Sequence, residues 1–110
     1  MFFVTTGFAI FEKKVFMQFE AFKQSMKHTL PPEGITVYLS AMWHDGQGNW
    51  DKAHSMIDHL EDTNACWVHA YLHRKEGDIW NADYWYRKAG RKRPAIGLQD
   101  EWEIIVKALL

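Results

Sequence analysis

The sequence predicts an all-α fold of tandem antiparallel helical hairpins, with one further helix at each end. Three observations predict it. Apolar residues recur at steps of three and four along most of the chain, the period of helices buried on one face. Each periodic run stops at glycine or proline and restarts at an Asn or Asp able to cap a helix. Residues 39–60 also overlay on 68–89, matching Ala41 with Ala70, His44 with His73, Gly48 with Gly77 and Ala53 with Ala82.

The first helix is expected from the spacing of Phe8, Phe11, Val15, Phe19, Phe22 and Met26 on one face. All seven Phe lie between Phe2 and Phe22, and all six Trp between Trp43 and Trp102, so the composition breaks near residue 26. Residues 1–28 therefore read as a Phe-rich N-terminal extension and 29–110 as the domain. Three readings stay open for the extension: an added packing layer, an upstream stretch with translation starting at Met17 or Met26, or an interfacial helix. Pro31-Pro32 ends this segment. Helical patterning resumes from about Glu33 to His44 and halts at Gly46-Gln47-Gly48. Asn49 caps the next helix, which is expected to reach Leu60, and Asp62-Thr63-Asn64 supplies the following turn and cap. A helix from Ala65 to Glu76 stops at Gly77. Asp78 caps another, ending at Ala89 before Gly90. The last helix, 99–110, carries Trp102, Ile105, Val106 and Leu109 on one stripe and should cap the stack.

Bulk properties fit one domain. The chain has 110 residues, 47% hydrophobic and 25% charged, and a net charge of −1. That balance gives no global argument for a nucleic-acid or membrane partner. The 15% aromatic share points to a well-filled core, an aromatic surface, or both. One cysteine, Cys66, precludes an intramolecular disulfide and fits a reducing compartment. No stretch has the roughly 20 apolar residues a membrane span needs, and no secretory leader is expected. The expected location is the cytoplasm.

Ala70, Gly77, Ala82, Tyr86, Ala89 and Pro94 follow the pattern of a known family. Over residues 66–94 the chain resembles tetratricopeptide (TPR) and Sel1-like repeats. The copy with Ala41, Gly48, Ala53, Ile57 and Leu60 is a weaker match without a proline. Cys66, His69 and His73 stand where the family prefers Trp, Leu and Tyr. The segment around Trp67–Gly90 also resembles small bacterial helical proteins without an assigned function. The resemblance implies a TPR-like α–α superhelix and a protein or peptide partner. It also implies that Trp67, Tyr71, Arg74 and Lys75 line a concave groove, where arginine beside aromatics suits a carboxylate. The plainer reading of those four is a helix packed on its neighbour. Self-association is open.

The sharpest chemical candidates are histidines. Cys66, His69, His73 and Glu76 fall within about 80° on one helix face, a spacing that offers metal ligands. His44 is the repeat partner of His73, and His54 lies on the adjacent helix, so a polar site around His44, His54, His69, His73 and Glu76 is a second form of the idea. Structural histidines, a metal site and a proton-transfer or pH-sensing role all remain open. The run Arg87, Lys88, Arg91, Lys92, Arg93 suits a helix C-terminus, or an anion or nucleic acid in a sharper reading. Net charge and the lack of interleaved aromatics disfavour nucleic acid. Asp78, Asp83 and the Asp100–Glu103 segment offer internal counter-charges. No phosphate-cradling loop, nucleophile–base pair or dinucleotide fingerprint is present, so no cofactor is expected and no spacing argues for an enzyme.

Overall fold

The computed structural model describes the backbone of residues 2–110 and the side chains of residues 9, 10, 12–14 and 17–110. Among the described residues it contains six helices and no strand: α1 (Phe2–Ser25), α2 (Val37–Gly46), α3 (Trp50–Ile57), α4 (Thr63–Glu76), α5 (Ile79–Lys88) and α6 (Leu98–Leu109). α2 packs chiefly on α3, and α4 on α5. α4 also touches α2, α3 and α6, and so occupies the centre.

Local chemistry sets the boundaries. Thr36 caps α2 through Oγ1, which accepts from the Leu39 amide at 3.2 Å. The helix begins at Val37 rather than Glu33 because Gly34 has a φ of 78°, which breaks the right-handed helical path. Asp62 caps α4 through a bond from the Ala65 amide. The two glycine turns repeat atom for atom. The Asn49 amide donates to the His44 carbonyl and the Asp78 amide to the His73 carbonyl. The caps likewise accept from the Lys52 and Asn81 amides. Gly48 and Gly77 reach φ of 84° and 89°, a conformation strained for any residue with a Cβ.

Ala41, Ala53, Ala70 and Ala82, the small residues shared by the repeats, are all fully buried. Around them pack Met42, Trp43, Ile57, Val68, Leu72, Ile105 and Val106. Trp102 fastens α6: its indole N–H donates to the Met42 carbonyl at 3.0 Å. Its ring also meets Phe19 and Phe22 at centroid separations of 6.2 and 6.0 Å. Those two Phe are buried, so the end of α1 belongs to the core. The Trp43 indole adds a bond to Ser25 Oγ. Phe8, Phe11 and Val15, the rest of the expected α1 stripe, lie outside the described side chains. Among the described residues no helix is long and apolar enough to cross a membrane.

Candidate metal centre between α3 and α4

The centre is built from α3 outward. Trp50 opens α3, and its indole N–H donates to the Leu72 carbonyl on α4 at 2.7 Å. One turn later His54 stacks on the Trp50 ring, with centroids 4.8 Å apart and planes 10° from parallel. The stack carries the His54 imidazole onto α4, where its Nε2 lies 3.1 Å from Nε2 of His69. His73 follows His69 by one helical turn, which places both rings on one face. Their centroids are 4.7 Å apart, and His73 lies 5.1 Å from His54. Trp85 of α5 closes the far side, stacked on His69 at 4.0 Å.

One ring nitrogen from each of His54, His69 and His73 lies within 4.8 Å of the other two. Nitrogens bound at about 2.0–2.1 Å to a tetrahedral zinc sit roughly 3.3 Å apart, close to the His54–His69 separation. Neighbouring acids orient the rings. Nδ1 of His73 is 2.6 Å from Oε1 of Glu76, an arrangement that puts the proton on Nδ1 and leaves Nε2 with its lone pair. The Asn81 amide nitrogen, 3.4 Å from that Nε2, suits the same tautomer. Nδ1 of His54 lies 3.7 Å from Asp58 Oδ2, beyond hydrogen-bond length but near enough for the carboxylate to favour a proton there. In the tautomer with the His54 proton on Nδ1, His69 Nε2 supplies the proton shared with His54. Nδ1 of His69 is then a buried lone pair, and it has no hydrogen-bond partner. An unmet buried polar atom costs about 1–3 kcal/mol.

Electrostatics favour the neutral forms of His69 and His54. Burial, then the neighbouring His73 and His54, push the pKa of His69 down to about 4. Burial and His73 also lower that of His54, with Asp58, Glu76 and Asp51 acting against them. Imidazole must shed its proton to bind a metal; His69 meets neutral solution uncharged, and ligation through Nε2 takes the tautomer with the proton moved to Nδ1.

The structure brings together only part of the helix-face set. His69, His73 and Glu76 stay together, while Cys66 does not join them. Its Sγ donates to the Glu61 carbonyl, and burial raises the thiol pKa, which holds the sulfur in its poorly ligating protonated form. His54 takes that place from the neighbouring helix. His44 stands apart, edge-on to Trp43 at 5.1 Å, and among the described residues joins no group of converging ligand atoms. Sequence reasoning missed Trp50, Asp58, Asn81 and Trp85. The only signal for Trp50 and Asp58 was their spacing of one turn before and after His54.

The residues expected to line a groove are committed within the fold. Trp67 and Tyr71 are buried. The Tyr71 hydroxyl donates to Asp45 Oδ2 at 3.1 Å, and Lys75 bonds Oδ1 of the same carboxylate at 2.9 Å. Arg74 donates to the buried Glu101 at 2.7 Å and also to the Ile96 carbonyl. Tyr86 completes that knot, its hydroxyl 2.5 Å from Glu101 Oε2. Burial and these carboxylates raise the pKa of both tyrosines, which keeps them as donors. Asp45 thereby ties α4 to α2, and Glu101 ties α4 and α5 to α6. In the basic run, Arg93 pairs with Asp83 and Lys88 with Glu61, while Arg91 stacks on Trp67.

No family model, curated protein or solved structure matches this chain.

Proposed function

We propose that the chain binds one divalent transition ion of the zinc class through His54, His69 and His73. The observation that carries this reading is the convergence of three largely buried imidazole nitrogens within 4.8 Å. Two of the three rings are backed by carboxylates, as ligating histidines commonly are. Imidazole donors suit zinc, copper and nickel, and the absence of a thiolate disfavours softer ions. A zinc held by these three ligands would keep a fourth position open and would supply Lewis-acid chemistry there. The tandem antiparallel hairpins of TPR type are the scaffold in this reading. The pairing of α2 with α3 and α4 with α5, and the matching glycine turns, support that architecture.

Calorimetric titration of chelator-stripped protein with zinc tests the proposal. One ion per chain is expected, with binding lost in His54→Gln/His73→Gln and retained in His44→Gln. Unaltered binding in the double variant, or no binding by the wild-type chain, would refute it.

A second reading, a protein or peptide partner as the repeat resemblance implies, is favoured by one observation. Trp80 is 79% exposed and stands one turn from the exposed Tyr84 on α5. Exposed aromatic pairs of this kind are common anchors at interfaces. Sedimentation velocity tests the case in which the partner is a second copy. A concentration-dependent dimer lost in Trp80→Ala supports it, and a monomer at every concentration removes it.

A further inference from the structure

We propose a second site, independent of the histidines: an oxyanion pocket for the phosphate group of a small phosphorylated ligand, formed where α5 ends and its following loop begins. Asp83, Tyr86, Arg87, Arg91, Lys92 and Arg93 line an open surface cavity of about 250 Å³. The wall holds four cations and one carboxylate on a chain whose net charge is −1, so the positive charge is local rather than global. That carboxylate, Asp83, is engaged by Arg93 through two bonds, at 2.8 and 3.4 Å.

Helix termination does not account for the cluster. The α5 carbonyls are already met by backbone, the Gly90 amide donating to Arg87 and the Arg91 amide to Tyr86. The helix dipole favours cations only within its last turn, which covers Arg87 and Lys88 but not Arg91 or Lys92. Nearby acids are also spent. Glu61 pairs with Lys88, and Glu101 is held by Arg74 and Tyr86. Four like charges gathered around one carboxylate still repel, and a bound dianion relieves that repulsion.

The arginines are shaped for the task. Arg91 sits over Trp67, its guanidinium carbon 3.4 Å from the ring centroid, a stacking distance that leaves the N–H edges to donate. Guanidinium edges bind phosphate in bidentate fashion. The same stack covers a face of Trp67 that a nucleic-acid base would need. Tyr86, the one aromatic in the cavity wall, is buried with its hydroxyl on Glu101. Strand binding relies on open aromatic faces, so a single phosphate group is the better fit.

The test is calorimetry of the chelator-treated full chain at about 20 mM salt, where screening is weak. The probes are inorganic phosphate, a phosphate monoester and a single-stranded RNA oligonucleotide. Expected are saturable binding of one phosphate per chain and at least about tenfold weaker binding in Arg91→Gln/Lys92→Gln. Asp83→Asn removes the wall's only negative charge and should tighten binding severalfold. It decides the matter if the double variant fails to fold. Monoester tighter than free phosphate supports a phosphorylated metabolite, and equal affinity supports the free ion; either sustains the site. No saturable phosphate binding overturns the proposal, as does weaker binding in Asp83→Asn. RNA binding that phosphate does not compete away also overturns it, in favour of a strand-binding surface.

Discussion

Acidification should destabilise the metal-free chain through His69, and the structure gives both sign and size. In the unfolded chain this imidazole titrates near 6.5, whereas burial beside His73 and His54 holds it down to about 4 in the folded state. Above the higher value both states carry it neutral, so its contribution to the pH dependence is flat. Between the two values the unfolded chain binds a proton that the folded chain refuses, and stability falls as pH falls. Over the full span the loss amounts to about 3 kcal/mol, a large share of a small domain's stability. His54 is shifted in the same direction and adds to the trend. Urea unfolding of chelator-treated protein between about pH 7.5 and about pH 4.5 measures it. Other carboxylates titrate in that range too, so the comparison is with His69→Phe, whose ring can keep the stack on Trp85 without a proton to bind. The wild-type chain should lose about 2–3 kcal/mol more than this variant on acidification. Parallel curves for the two proteins would refute the reasoning.

Three further outcomes are expected. Arg74→Met strands the buried Glu101 carboxylate and should lower stability by about 3 kcal/mol in denaturant titration; a neutral effect would mean that the Glu101 knot does not form. Phe22→Ala removes a ring buried beneath Trp102 and should cost about 3 kcal/mol by the same assay. An unchanged midpoint would show that α1 is not part of the core. Glu76→Gln weakens the acceptor that orients His73 and should reduce zinc affinity at least about tenfold while leaving the apo melting temperature nearly unchanged. Unaltered affinity would remove Glu76 from the centre.

The parts of the fold fixed by local chemistry were readable in the sequence. Asn49 and Asp78 cap their helices, Gly48 and Gly77 turn the chain at positive φ, and the four repeat alanines are buried. Each of these follows from a residue's own conformational preference or from a short spacing. The site was readable only on α4, because His69, His73 and Glu76 share a face through helical periodicity alone. Membership from another helix depends on packing. His54 enters because the Trp50 indole anchors α3 to the Leu72 carbonyl, a contact across elements that no spacing encodes. His44 was suggested by repeat equivalence to His73. Equivalence in the repeat does not transfer neighbours, and His44 sits against Trp43 instead. The groove residues show the same limit. Helical phase placed Tyr71 and Arg74 on one side of α4, but only the tertiary fold shows that Asp45 and Glu101 already occupy that side.

Zinc-edge anomalous diffraction from crystals grown with the ion tests the central claim most directly. The account predicts one peak per chain, at about 2.0–2.1 Å from a single ring nitrogen of each of His54, His69 and His73. A peak at His44, Cys66 or the exposed acids, or no peak in the cluster, would contradict it.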